Sequence, residues 1–185
     1  MYRISKDFSF CFGHRVHTQQ LTAGYAGDLK CACRHLHGHE GLVRVTLSAR
    51  HLNDQGMVTD FRHLEWLKRL IDTHIDHQFV FHKEDPLLPV LVPYVSEDQW
   101  VTQLLTNSEG FSLAIGASYN PDLLPLDGPF REYLEGLFLV DFVPTSENFS
   151  RWLHGLVQHY MNPLGVHVDS VTWYETPRSS STFYA

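Results

Sequence analysis

Residues 33–40 read CRHLHGHE and place one thiol and three imidazoles within eight positions. Neutral imidazole is the commonest protein ligand for transition metals, and a thiolate is both a ligand and a base. His37 and His39 are two apart, so in an extended segment both rings point to one side and can reach a single ion. A third ring is available upstream: FSFCFGH at 8–14 alternates, with Phe8, Phe10, Phe12 and His14 sharing one parity, and a strand there carries His14 on its aromatic face. Three imidazoles with an open fourth position describe a catalytic zinc site, whereas a structural site takes four protein ligands. Two rival readings stay open. The chain holds 13 histidines, which makes a lone H-x-H a weak signal. A Cys31, Cys33, His37, His39 knot is the other, although three residues between Cys33 and His37 leave little room to wrap a tetrahedral ion. His35 shares the parity of His37 and His39 and stays in play as a ligand.

Other residues carry chemical weight. Asp76-His77 follows a helical segment, and a carboxylate beside an imidazole can orient it and stabilise its charged form, as a proton relay requires. A histidine at a helix C-terminus is equally a structural feature. Glu175 shares parity with Val171 and Trp173, so it falls on an apolar strand face, where a carboxylate is costly unless a basic group or a ligand donor meets it. Cys11, in the aromatic strand, reads as a small buried hydrophobe.

The elements that must position these groups follow from periodicity. GLVRVTLSAR at 41–50 alternates as a half-buried, antiparallel strand, and NDQG at 53–56 reads as a hairpin turn into a second strand, MVTDF. Residues 61–74 switch to helical period. A stronger helix is expected in PTSENFSRWLHGLVQHYM, with Thr145 or Ser146 as its N-cap, and a last strand in VHVDSVTWYET. Between them, roughly 82–140 is a proline-, glycine- and leucine-rich insert, in which SEDQWVTQLL opens with a capping box and predicts a short helix, and PFREYLEGLF another. This order predicts an α+β fold, an antiparallel sheet with two main helices on one face, in a single domain spanning 1–185.

Composition bounds the function. A chain of 185 residues with net charge −7 has no general attraction for nucleic acid or an anionic membrane. No apolar run reaches the length needed to span a bilayer, the N-terminal residues lack a secretory h-region, and three cysteines are an odd count, so a reducing, cytoplasmic setting is expected. An anionic substrate would need local cations, for which Arg15, Lys30 and Arg34 lie nearest the histidine motif.

Taken together, the motifs resemble the 6-pyruvoyl-tetrahydropterin synthase superfamily, and within it the 6-carboxy-tetrahydropterin synthases of queuosine biosynthesis. The family's F-x-F-x-A-A-H-R-L is echoed by residues 8–16, its C-x-x-x-H-G-H by residues 33–39, and GMVTDF at 56–61, IDH at 75–77, PTSEN at 144–148 and YET at 174–176 follow in the same order. The resemblance implies a T-fold in which His14, His37 and His39 hold Zn2+, Cys33 is the base, and Asp76 and His77 relay protons. Glu175 would anchor a pterin, with Thr145 and Ser146 lining its pocket. Cys33 has the spacing of the queuosine branch, and Cys31 that of biopterin-making members. The implied reaction turns 7,8-dihydroneopterin triphosphate into 6-carboxy-tetrahydropterin with release of acetaldehyde and triphosphate, in a homo-hexamer with active sites between subunits. Formation of the 6-pyruvoyl product, and a non-catalytic zinc- or pterin-binding protein on the same scaffold, are the alternatives.

Overall fold

Thirteen alternating residues, Tyr2–His14, form β1, with Phe8, Phe10, Phe12 and His14 buried on one face. The computed structural model describes all 185 residues. After a loop, β2 (His37–Ala49) runs antiparallel to β1 in unbroken register from Tyr2 opposite Ala49 to His14 opposite His37. The turn after it is as expected: the Asn53 side chain accepts the N–H groups of Gln55 and Met57, and Gly56 takes φ 77°. The strand expected at MVTDF does not form. Both edges of β2 are already taken, by β1 and by β7 (His167–Thr176), so no ladder is left for a hairpin partner. Residues 57–60 instead lead into a 3₁₀ turn capped by Asp60, and α1 (Glu65–His74) follows, burying Trp66, Leu67, Leu70 and Ile71.

β3 (Gln78–His82) lies parallel to β1. The insert then builds α2 (Leu88–Leu91), the hairpin β4 (Trp100–Thr106) and β5 (Ser112–Tyr119), and α3 (Pro129–Glu135), and returns through β6 (Leu137–Val140). The helix expected from SEDQWVTQLL is a strand instead. The capping box exists, with Ser96 N–H donating to Gln99, but it closes only a three-residue 3₁₀ turn. Beyond it Trp100, Val101 and Thr102 suit a pleated surface and find a partner in β5. The helix α4 (Ser146–Met161) starts where expected, with Thr145 Oγ1 accepting the Asn148 N–H. β7 is followed by β8 (Ser179–Tyr184), whose SSSTFY gives no apolar alternation and which sequence reading missed.

All eight strands share one sheet, ordered β4-β5-β6-β3-β1-β2-β7-β8. The β1–β3 and β3–β6 pairs run parallel and the others antiparallel. The large core lies between the sheet and helices α1 and α4 and centres on Trp173, fully buried and stacked on Phe149 at 4.1 Å. Alternate residues of β3 and β6 divide between two clusters: Val80 and Phe138 join that core, while Phe81, Leu137 and Leu139 join a smaller one with Leu88 of α2 and Leu134 of α3. The insert therefore extends the sheet and covers its second face. No helix is long and apolar enough to cross a membrane.

Candidate metal and pterin site

Register brings the three imidazoles together. His14 ends β1 directly opposite His37, and His39 lies opposite Phe12, one same-face step along. Cross-strand and diagonal neighbours on one face are within reach of each other. The ring centroids are 4.6 Å (His14–His37), 5.1 Å (His14–His39) and 4.9 Å (His37–His39) apart, and one nitrogen from each lies within 4.8 Å of the others. Two backbone carbonyls, which sequence reading did not single out, fix the tautomers. Nδ1–H of His14 donates to Pro144 O at 2.6 Å, and Nδ1–H of His37 to His35 O at 2.8 Å. Each of these two rings thus leaves its Nε2 free of the backbone and turned to the shared centre, the arrangement that second-shell acceptors give metal-bound histidines. Nε2 of His14 and of His39 are buried without a hydrogen-bond partner. Burial lowers the pKa of His39 and so favours its neutral, ligating form. The donor set fits a transition metal: three positioned imidazoles and no thiolate. No cysteine sulfur joins the cluster, which removes the Cys31–Cys33 knot, and the His35 side chain is exposed while its carbonyl orients His37.

Glu175 does sit on the inner side of β7, but the imidazoles meet its carboxylate. Oε1 is 3.2 Å from His14 Nε2 and 3.8 Å from His39 Nε2. The His14 ring beside it holds the Glu175 carboxyl below its ordinary pKa, with burial opposing. The protein therefore offers an anionic oxygen next to the three nitrogens.

Asp76 and His77 make no hydrogen bond, ion pair or ring contact with the three imidazoles. They grip the backbone of β1 along its β3 edge: Asp76 Oδ1 accepts the Cys11 N–H at 2.8 Å, and the His77 N–H donates to Cys11 O at 2.7 Å. Cys11 itself is exposed, not the buried hydrophobe its aromatic surroundings suggested, because it shares the parity of Ser9 and Gly13, opposite to the phenylalanines. Nδ1 of His77 is 3.1 Å from Asp76 Oδ2, so the pair exists, with the imidazole 81% exposed. His77 also holds φ at 59°, a conformation uncommon outside glycine. A cavity of about 740 Å³ runs from His37 and His39 to His77, with Cys11, Glu40 and Tyr133 of the insert in its lining.

The Asp76 carboxyl is held below its usual range chiefly by the Cys11 N–H, with His77 contributing. A depressed folded-state pKa gives stability that is present above the unfolded value, about 3.9, and is lost as pH falls through the folded value. The gap in denaturant midpoint between wild type and Asp76→Asn should therefore be present near neutral pH and close as the pH falls below about 4 and through the lowered folded-state value. A gap constant across that range would contradict the assignment.

The remaining site residues make no hydrogen bond or ion pair with the three imidazoles. Cys33 is half-buried in the 3₁₀ turn Ala32–Arg34, with its N–H on Gln19 Oε1 and its carbonyl accepting from Val16. Thr145 is engaged as the α4 cap, and Ser146 Oγ lies 3.4 Å from Glu147. Of the cations expected near the motif, Arg15 is taken by Asp85 and Arg34 Nε by the Gln19 carbonyl, while Lys30 is exposed.

Fold and site together define an α+β protein of the tetrahydropterin-synthase-like class with three histidines placed to bind a metal ion. The family model described as 6-pyruvoyl tetrahydropterin synthase matches residues 3–185, and the chain belongs to that family. It is 41% identical to a 6-carboxy-5,6,7,8-tetrahydropterin synthase from Aquifex aeolicus over 98% of this chain and 97% of the relative. An uncharacterized protein from Wolinella succinogenes has a similar solved structure, with TM-score 0.86 and 42% identity over 99% of this chain and 97% of that one. The 6-pyruvoyl tetrahydropterin synthase of Caenorhabditis elegans, at 19% identity and TM-score 0.53 over 100% of this chain and 95% of its own, shares the fold.

Proposed function

We propose that this chain is a zinc-dependent lyase converting 7,8-dihydroneopterin triphosphate to 6-carboxy-5,6,7,8-tetrahydropterin, with release of acetaldehyde and triphosphate, in the queuosine (7-deazaguanine) pathway. The observation that carries the metal chemistry is the convergence of His14, His37 and His39, two of them with Nδ1 committed to backbone carbonyls. The full-length relative of that name supports the 6-carboxy product. Zinc held by these histidines would supply Lewis acidity for the oxygens of the pterin side chain. Cys33 takes a proton from that side chain as its thiolate. Asp76 orients His77, so that the imidazole returns a proton to the substrate. In this reading the amino-pyrimidine edge donates to Glu175, and Thr145 and Ser146 would contact the bound pterin.

The exposed His77 imidazole, which makes no contact with the cluster in its own chain, supports assembly into a homo-hexamer in which the relay of one copy serves the metal site of another. Three unpaired cysteines support a reducing, cytoplasmic setting.

The deciding experiment incubates the purified protein with zinc and dihydroneopterin triphosphate and assays both products. Acetaldehyde in step with triphosphate supports the proposal. Triphosphate release with a 6-pyruvoyl product and no acetaldehyde assigns the shorter reaction, and no turnover leaves a binding protein. Glu175→Gln should raise KM for the pterin about 10-fold or more, the scale of about 1.5–3 kcal/mol for a hydrogen bond to a charged acceptor. An unchanged KM would move the anchor elsewhere.

A further inference from the structure

Asp85 opens the insert with its side chain fully buried, and what it holds is remote in sequence. Its Oδ2 is 3.2 Å from Arg15 Nε and 3.4 Å from His17 Nδ1, and both of those side chains are only 14% exposed. Oδ1 accepts the Leu87 N–H at 2.8 Å, and the His17 ring stacks on His82 at 5.4 Å and 10°. The Arg15 and His17 contacts are ion-pair distances without hydrogen-bond geometry, so the hold is that of charge on charge in a buried place, and removing the carboxylate leaves the buried Arg15 guanidinium without its counter-charge. The clamped segment is also the cradle of Cys33. Val16 N–H donates to Cys33 O at 2.7 Å, Gln19 Oε1 accepts the Cys33 N–H at 2.9 Å, and Gln19 N–H closes onto Val16 O at 3.0 Å. Both backbone groups of Cys33 thus rest on residues 16 and 19, flanking a stretch anchored through Arg15 and His17. His14 needs none of this, being held by β2, by β3 and by the Pro144 carbonyl.

We propose that Asp85 is a positioning residue: by clamping Arg15 and His17 it fixes the 15–19 segment that sets where the Cys33 thiol stands, while leaving the histidine cluster independent. Its catalytic consequence rests on the reading of Cys33 as the base; its structural content does not. The insert is then a working part of the site, since its first turn holds the loop that carries the thiol.

The test alkylates full-length protein with iodoacetamide and follows Cys33 and Cys11 separately by tandem mass spectrometry, the exposed Cys11 of β1, held by the Asp76–His77 backbone contacts, serving as internal control. In Asp85→Asn the ratio of Cys33 to Cys11 rates should shift about fivefold or more as the loop is released, with zinc affinity within about twofold of wild type. Turnover should lose about tenfold in kcat with KM little changed, as expected for a misplaced group that acts in the transition state. His17→Gln, which keeps the Arg15–Asp85 pair, should give a smaller shift in the same direction and decides the matter alone if Asp85→Asn does not fold. An unchanged ratio overturns the proposal, and so does a ratio that shifts together with loss of zinc binding, the sign of general loosening. Should Cys33→Ala keep full turnover, the base assignment falls while the alkylation ratio still decides the clamp.

Discussion

Cys33→Ala is expected to lower turnover of dihydroneopterin triphosphate by about 10²–10⁴-fold, the range for losing a positioned general acid or base. Zinc content should not change, because no sulfur joins the histidine cluster. That pairing of outcomes separates a base from a ligand: a ligand's loss would take the metal with it. Cys31→Ala is the control. Cys31 sits one residue outside the 3₁₀ turn, and its thiol makes only a long contact, 3.8 Å, to Leu29 O. It should keep most of the activity. If the two variants exchanged their effects, the base would be Cys31 and the five-residue spacing of biopterin-making members would be the relevant one. The decisive split is in kcat, since alanine at either position leaves the pterin contacts intact and KM should stay close to wild type.

The histidine site was legible because its cause is local. Two strands of strict alternation place His14, His37 and His39 on the faces of Phe12 and Val43, and an antiparallel register does the rest. At Cys11 the two local cues disagree: the aromatic neighbours point to burial, while alternation gives it the outward parity of Ser9 and Gly13, and alternation prevails. Elements whose identity depends on long-range partners were harder. The capping box at Ser96 and Gln99 is a true local signal, yet pairing with β5 overrode it one residue later. MVTDF has the composition of a strand and no free edge to join. The contact of Glu175 with His14 needed β2 and β7 paired before it could be seen, although parity had put the carboxylate on the inner face. Asp85 gave no signal at all, because a lone carboxylate in a proline-rich stretch reads as a turn residue until Arg15 is found beside it.

His14→Ala is expected to produce the largest loss of metal. Changing a second-shell partner of a metal-bound histidine typically costs about 10–100-fold in affinity, so deleting a ligand in the first shell should exceed that. His14 is the fully buried member, fixed by two strands and a carbonyl at 2.6 Å. Stability reports the loss without any assay of turnover. A metal that binds only the folded chain stabilises it by about 2.7 kcal/mol at a free concentration one hundred times Kd. Added zinc should therefore raise the unfolding midpoint of the wild type, and a chelator should return it. In His14→Ala the midpoint should not respond to either. The variant's own baseline separates ligand loss from core damage: an alanine opens space beside Phe12, whose ring is 5.1 Å from that of His14, and lowers the metal-free midpoint as well. His37→Ala, made at a partly exposed ring on the same cluster, should lose the zinc response with a smaller baseline cost. If zinc still shifted the midpoint of both variants by the wild-type amount, the ion would be bound elsewhere and the three imidazoles would be a polar extension of the aromatic core.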